Sequence, residues 1–194
     1  IEDILDAQTN PTIAPLAANG EVTLRITAKH ETSAGAQELI KGAEEQILSR
    51  VGDYFYGYND TTLMKEAIAL LKEREWTISA AESLTGGMFQ EELTRIPGAG
   101  LILKGGIVCY TNEAKKKLLK VSDSTIKEHG VVSEACAIEM AENIKSLLDS
   151  DVGISFTGVA GPDELEGNPV GTVYVGLALP EREPFAVKLS LGGM

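Results

Sequence analysis

The stretch AESLTGGM, residues 81–88, joins a segment typical of a buried strand to one with helical spacing. Upstream, WTISAA at residues 76–81 is apolar and β-branched; downstream, Phe89 and Leu93 recur at helical spacing toward Arg95. A strand followed directly by a helix predicts a βα unit. Its connecting loop would lie at the carboxyl end of a strand, where open α/β sheets bind their ligands.

The same alternation of strands and helices extends over residues 61–194. Further strands are predicted in LILKGGIVCY (101–110), DVGISFTGVAGP (151–162), VGTVYVGLALP (170–180) and PFAVKLSL (184–191). Helices are predicted over residues 62–75, with a stripe of Leu63, Ala67, Leu70 and Leu71, and over TNEAKKKLL (111–119) and SEACAIEMAENIKSLLDS (133–150), the last capped by Ser133. This order predicts a three-layer α/β/α domain with a mixed sheet, antiparallel where the last two strands form a hairpin.

Residues 1–60 predict a smaller α+β domain. In EVTLRITAKH (21–30), Val22, Leu24 and Ile26 alternate with polar residues, as in a half-buried strand. A helix follows from Ser33, its expected N-cap, to about residue 50. DYFYGYND (53–60) predicts a short strand and a turn before Thr62 begins the next helix.

Composition limits the classes of function. The 194 residues carry a formal net charge of −12, which argues against broad contact with nucleic acid phosphates. The sequence has no long apolar run for a membrane span and does not begin like a signal peptide, so we expect a cytoplasmic protein without membrane contact. Cys109 and Cys136 lie in apolar segments, and we expect reduced core thiols and no metal site.

The loop after WTISAA offers a candidate nucleophile. Ser83 precedes backbone N–H groups, those of residues 84–86, that could stabilise an oxyanion at a helix start. Gly86 and Gly87 would allow a ligand to approach closely. The alternative is that Ser83 only caps the helix and the glycines ease packing.

A serine needs a base to take its proton, and the loop after LILKGGIVCY supplies one candidate. There Tyr110 ends a strand, Asn112 is a possible N-cap, and Lys115 follows in the first helical turn. Desolvation would lower the pKa of such a lysine and suit it to general base catalysis. The alternative is that Lys115 belongs to a solvated face with Lys116 and Lys117.

A third loop, TGVAGPD at residues 157–163, resembles a backbone nest for an anion. It matches neither a Walker loop nor the G-x-G-x-x-G fingerprint, so the sequence does not support ATP or dinucleotide binding.

Five motifs, AAESLTGG, GGIVCYTNEAK, EHGVVSEA, FTGVAGPD and PVGTVYVGL, occur in an order and spacing that resemble the C-terminal domain of the CinA family of competence/damage-inducible proteins. The likeness covers about residues 62–194. That domain is similar to nicotinamide-mononucleotide (NMN) deamidase. Residues 1–60 resemble the KH-type middle domain of longer CinA proteins, although no G-x-x-G loop is visible and acidic residues outnumber basic ones. We therefore expect no nucleic acid partner.

The resemblance implies hydrolysis of the NMN carboxamide to nicotinic acid mononucleotide and ammonia, without a cofactor. It places the nucleophile at Ser83, with Thr85 as the second choice, the base at Lys115, and Tyr110 nearby to orient or relay a proton. The implied substrate-binding residues are Thr85, Gly86, Gly87, Asn112, Thr157, Gly158 and Gly161. The alternative is a nucleotide-binding, regulatory piece of a competence protein that does not catalyse a reaction.

The resemblance also implies a homo-oligomer, a dimer. Family members continue into a basic C-terminal helix that resembles a phosphate-contacting element, whereas this sequence ends in SLGGM. We therefore expect the larger domain to be truncated at its C-terminus and to bind its nucleotide more weakly.

Overall fold

The structure is a computed structural model that describes residues 1–18 and 20–192. The chain divides into two compact units, Ile1–Asn59 and Asp60–Met194. Within the described residues, no helix is both long enough and apolar enough to cross a membrane.

The first unit is a small α+β structure. It consists of α1 (Glu2–Ala7), β1 (Thr12–Ala18), β2 (Glu21–Thr27), α2 (Ser33–Val51) and a 3-10 turn at Gly52–Tyr54. Strands β1 and β2 pair antiparallel along their whole lengths. Ile13 of β1 and Ala43 and Ile47 of α2 are its buried apolar residues. The expected strand and helix are therefore present, and β1 adds a second strand.

Three details of the first unit differ from the sequence prediction. The N-cap of α2 is Thr32, whose hydroxyl accepts from the Gly35 N–H, so Ser33 is the first helical residue. Residues 53–60 form a 3-10 turn and irregular chain instead of a strand, because α2 runs directly into Gly52. Val22 is 60% exposed although the alternation places it with Leu24 and Ile26.

The second unit is built on a five-stranded sheet. Its elements are α3 (Leu63–Glu73), β3 (Ile78–Glu82), α4 (Met88–Thr94), a 3-10 turn (Ala99–Leu101), β4 (Leu103–Val108), α5 (Asn112–Leu119), α6 (Asp123–His129), α7 (Glu134–Leu148), β5 (Val152–Gly158), β6 (Thr172–Ala178) and β7 (Phe185–Ser190). The strand order is β4-β3-β5-β6-β7. Strand β3 is parallel to β4 and β5, whereas β6 is antiparallel to β5 and β7. The mixed sheet and the terminal hairpin are confirmed.

Helices cover both faces of this sheet. On one face, the α7 residues Cys136, Met140 and Ile144 pack in a cluster with Ala81 of β3. On the other face, Ile68 of α3 packs in a cluster with β-strand residues and with Leu93 of α4. Helix α7 lies close to the sheet at Gly153, where an added Cβ would lie 2.0 Å from the Ala141 carbonyl oxygen. The three layers predicted from the sequence are therefore present.

The apolar stripe predicted for α3 is partly wrong. Leu63 is 59% exposed and Leu70 is 47% exposed, whereas Ile68 is 2% exposed. The helix begins at Leu63, after the Thr62 cap, and turns the face of Ile68 to the sheet. Helical spacing alone permits either stripe, and contact with the sheet selects one of them.

The parallel pairing decides where the site can form. Strands β4, β3 and β5 are adjacent and point the same way, so their carboxyl ends meet at one edge of the sheet. Ser83, Cys109 and Thr157 lie at or next to those three ends. Segments that are distant in the sequence are therefore neighbours there.

The α7 core contact gives a test of this packing. Met140→Ala should lower the free energy of unfolding by about 2–5 kcal/mol because Met140 is fully buried and its truncation leaves a cavity. Urea unfolding followed by the fluorescence of the single tryptophan, Trp76, measures it within the second unit. Leu147→Ala, on the same helix but 54% exposed, is the control and should change it by less than about 0.5 kcal/mol. Equal effects of the two variants would contradict the packing.

Candidate active site

Ser83 and Lys115 are in direct contact at the carboxyl edge of the sheet. Ser83 directly follows β3, and its N–H donates to the carbonyl oxygen of Phe156 in β5, at 3.0 Å. Its Oγ lies 2.8 Å from the Lys115 Nζ. The two side chains are 7% and 2% exposed, so this hydrogen bond is shielded from water. The structure thus brings together the serine and the lysine that the sequence proposed as nucleophile and base.

Helix α5 directs Lys115 inward. The N-cap of α5 is Thr111, whose hydroxyl accepts from the Ala114 N–H at 3.1 Å, and not Asn112 as predicted. Starting from that cap, Lys115 and Leu119 lie four residues apart on the buried face of the helix. Lys116 and Lys117 are exposed. The solvated-face interpretation therefore holds for those two lysines and fails for Lys115.

Burial disfavours the charged form of the Lys115 amine, and three oxygen atoms lie around its Nζ. Burial lowers the pKa of the Lys115 ammonium below its ordinary value. Its Nζ also contacts the carbonyl oxygens of Cys109, at 3.1 Å, and Tyr110, at 3.5 Å. In its neutral form, the amine can donate its two N–H groups to these two carbonyls, and its lone pair can accept a hydrogen bond from the Ser83 hydroxyl. The site therefore suits proton transfer from the serine to the lysine.

A pocket of about 330 Å³ opens beside this pair. It is lined by the three strand-end loops and by Val131 and Val132, which precede α7. The predicted site residues that line it are Ser83, Tyr110, Asn112, Lys115, Thr157, Gly158 and Gly161. Asp163 and Glu164 are also in the lining. Tyr110 is 70% exposed, and in the described chain it reaches Lys115 through its backbone carbonyl, not through its hydroxyl.

One wall of the pocket is clamped by hydrogen bonds. Thr157 Oγ1 donates to the carbonyl of Val131 at 2.6 Å, and Asn168 Nδ2 donates to the carbonyl of Val132 at 3.1 Å. Glu166 Oε2 accepts from the N–H groups of both valines, at 2.8 and 3.2 Å. Thr157 therefore supports the wall as well as lining the pocket. Glu166 and Asn168 were missed from the sequence, because nothing in their spacing predicts contact with residues 131 and 132.

At the start of α4, the hydrogen bonds of the backbone N–H groups differ from the sequence prediction. The N–H groups of Gly87 and Phe89 donate to Glu82 Oε2, at 3.0 and 3.1 Å, and that of Gln90 donates to Glu82 Oε1 at 3.1 Å. The Gly86 N–H donates to the carbonyl of Ser83. Of residues 84–86, whose N–H groups were expected to face a ligand, Gly86 therefore does not do so, and the N–H groups farther along the helix start bind the chain's own carboxylate.

Thr85, Gly86 and Gly87 do not line the pocket, although the sequence placed them in the substrate site. Gly86 and Gly87 have φ angles of +60° and +105°, and glycine adopts such angles without strain, so they serve the turn. The Thr85 hydroxyl is buried and has no hydrogen-bond partner in the part of the chain that the structure describes. Ser83 is therefore better placed than Thr85 to be the nucleophile.

Two backbone donors are still available next to Ser83. Within residues 1–18 and 20–192, neither the Leu84 N–H nor the Thr85 N–H has a hydrogen-bond partner, and Leu84 lines the pocket. These are the N–H groups that could stabilise an oxyanion beside the serine. Glu82 was not identified from the sequence, because its donors lie five to eight residues farther along the chain, outside the spacing of a helix N-cap.

Comparison with known proteins agrees with the resemblance found in the sequence. A family model described as the CinA C-terminal domain matches residues 60–193, and one described as the damage-inducible protein CinA KH domain matches residues 1–57. The chain is 58% identical over 193 residues to a competence-damage inducible protein of Geobacillus sp. (strain WCH70), covering 100% of this chain and 46% of that protein. It is 54% identical over 183 residues to one of Bacillus subtilis (strain 168), covering 94% and 44%. The chain spans less than half the length of these curated relatives.

Solved structures with the same fold include competence damage-inducible protein A (ComA) from Klebsiella pneumoniae subsp. pneumoniae MGH 78578. It superposes with a TM-score of 0.65 at 32% identity, covering 68% of this chain and 81% of that one. A competence/damage inducible protein from Agrobacterium tumefaciens superposes with a TM-score of 0.63 at 30% identity, covering 67% and 79%. Because the first family model covers more than half of its residues, this chain belongs to the CinA family.

Proposed function

We propose that the second unit is an amidohydrolase that converts NMN to nicotinic acid mononucleotide and ammonia. One observation carries the proposal: the buried Lys115 Nζ lies 2.8 Å from the Ser83 Oγ at the wall of a pocket. A serine becomes a nucleophile when an adjacent base takes its proton, and this pair has the required contact. The resemblance of the surrounding motifs to NMN deamidases supports the choice of substrate.

In the first half of the proposed reaction, Ser83 Oγ attacks the carboxamide carbon of the substrate while Lys115 takes the hydroxyl proton. The negative charge that develops on the carbonyl oxygen is stabilised by the Leu84 N–H at the pocket wall and by the neighbouring Thr85 N–H, neither of which has a partner in the part of the chain that the structure describes. When the C–N bond breaks, Lys115 gives its proton to the departing nitrogen. Ammonia leaves, and an ester joins the nicotinoyl group to Ser83.

In the second half, Lys115 takes a proton from a water molecule that attacks the ester carbon. The bond between this carbon and Ser83 Oγ breaks, the serine regains its proton from Lys115, and the carboxylic acid is released. The two halves balance with water as the sole co-reactant. The carbonyls of Cys109 and Tyr110 hold Lys115 in place through both.

The pocket also bears on how the mononucleotide binds. Lys115 is the sole basic residue in the lining as the structure describes it, and Asp163 and Glu164 are acidic. The substrate phosphate would therefore depend on the backbone N–H groups of residues 160, 161, 163 and 164, because those of Val159 and Leu165 bind within the chain and Pro162 has none. The acidic side chains suit the cationic pyridinium ring and disfavour the carboxylate product, which aids product release.

Replacing the nucleophile tests the proposal. Ser83→Ala should lower kcat for ammonia release from NMN by about 10³-fold or more, because the attacking oxygen is lost. Thr85→Val should keep more than a tenth of the activity, and Ser124→Ala, at an exposed serine of α6, should keep all of it. Full activity of Ser83→Ala would contradict the assignment. Saturable NMN binding to the unaltered chain with no ammonia release would favour the nucleotide-binding alternative.

Replacing the base is a separate test. Lys115→Met keeps the length of the side chain but removes the amine, and should lower kcat by about 10²–10⁴-fold. Lys115→Arg should be comparably impaired because a guanidinium does not lose its proton in this pH range. Lys117→Met, at an exposed lysine of the same helix, is the matched control and should be fully active. Activity of Lys115→Arg equal to that of the unaltered chain would show that only a positive charge is needed.

The pH dependence follows from the buried lysine. Because burial lowers the pKa of Lys115 from its ordinary 10.5, kcat/KM should rise with pH and reach a plateau after a midpoint below 10.5. At pH values below that midpoint the amine is protonated and cannot take the serine proton. Ammonia release measured between pH 6 and 10 gives the profile. If the residual activity of Lys115→Met rises with pH in the same way as the activity of the unaltered chain, this assignment is contradicted.

A further inference from the structure

Glu82 is a fully buried carboxylate next to the nucleophile. It is the last residue of β3, its exposed fraction is 0%, and it does not line the pocket. Its two oxygens accept four N–H groups: Oε2 takes those of Gly87 and Phe89, and Oε1 takes the backbone and side-chain N–H groups of Gln90. The carboxylate therefore joins the end of β3 to the first turn of α4 and fixes the loop between them, which contains Ser83.

The environment keeps this carboxyl group charged. Burial alone would raise its pKa, but hydrogen bonds from the Gln90 side chain and from the backbone N–H groups of Gln90 and Phe89 together hold the pKa of Glu82 below its ordinary value. Each oxygen accepts two hydrogen bonds, so this position suits only a side chain whose two terminal atoms are both hydrogen-bond acceptors. A glutamine has the same shape, but in either orientation its NH₂ would face two of these N–H groups.

Glu82 is also linked to the base. Its backbone carbonyl accepts the Cys109 N–H at 2.8 Å, and the Cys109 carbonyl accepts from Lys115 Nζ at 3.1 Å. The Ser83 N–H is held by Phe156 on the other side. One residue thus connects by its side chain to the serine loop and by its backbone to the carbonyl that holds the lysine.

We propose that Glu82 is a positioning residue, which holds Ser83 in hydrogen-bonding contact with Lys115 and leaves the Leu84 and Thr85 N–H groups as the donors for the substrate. This proposal rests on the proposed function for its catalytic readout. The carboxylate fills the start of α4, so an anionic substrate group cannot bind there and is directed to the other side of Ser83. Glu82 acts through Ser83 and does not touch the substrate.

The test compares Glu82→Gln with Glu139→Gln. Glu139 is another carboxylate that receives backbone and hydroxyl donors at a helix start, from Ser122 at the start of α6, and it lies outside the pocket lining. Two readouts are measured on the full chain: kcat and KM for NMN, and the rate at which a fluorophosphonate labels Ser83, followed by mass spectrometry. In the labelling reaction Ser83 Oγ bonds to phosphorus, fluoride leaves, and Lys115 takes the proton.

For Glu82→Gln, we expect kcat and the labelling rate to fall by about 10- to 100-fold, the range that follows from displacing a reacting group by up to about 1 Å. The KM should change less than twofold because the pocket-lining side chains are unaltered. Glu139→Gln should stay within twofold of the unaltered chain in all three quantities. Thermal unfolding of both variants shows whether they differ in stability. If Glu82→Gln and Glu139→Gln are equally destabilised and their rates fall equally, the proposal is overturned.

The labelling rate separates failure of this proposal from failure of the proposed function. If the unaltered chain is labelled at Ser83 but releases no ammonia from NMN, the substrate assignment fails and the labelling rates alone decide the role of Glu82. Unchanged labelling in Glu82→Gln overturns the positioning role. Should that variant not fold, Gln90→Leu decides: it removes one of the four donors and keeps the carboxylate, so labelling should fall about threefold, and an unchanged rate overturns the proposal.

Discussion

The hydrogen bond between Lys115 and Ser83 is the contact on which the rest of the site depends. A lysine that is 2% exposed loses the water that would stabilise its charge, so its pKa falls and its lone pair becomes available to a partner. That partner is the serine hydroxyl at 2.8 Å. The parallel pairing of β3 with β4 makes this contact possible, because it brings residues 83 and 115 together at one edge of the sheet.

Protein groups already fill much of the space around this contact. Glu82 occupies the start of α4, and two backbone carbonyls occupy the remaining directions of the Lys115 amine. Across the pocket, Glu166 and Asn168 fix the backbone of Val131 and Val132. Because these polar groups are satisfied within the chain, the geometry of the site is set before any ligand binds. Such preorganisation is what acyl transfer to a serine requires.

The charges of the pocket distinguish this site from an ordinary phosphate-binding loop. The helix start nearest to Ser83 holds a glutamate, and the lining includes two further acidic residues and one lysine. Selectivity for a nucleotide would therefore rest on shape and on backbone donors more than on charge. An amide attached to a cationic ring would fit that balance better than a polyphosphate would.

The sequence by itself determined the order of the strands in the second unit and of its helices except α6, the mixed sheet with its terminal hairpin, the Ser133 cap, and Ser83 and Lys115 as candidates, because periodicity, capping residues and turn formers are local signals. It could not decide which of several adjacent lysines is buried, which stripe of α3 faces the sheet, or where the Glu82, Glu166 and Asn168 side chains bind. Those outcomes depend on partners that are distant in the chain. Because one face of α5 packs against the rest of the unit, the amine of Lys115 is desolvated, whereas those of Lys116 and Lys117 remain solvated.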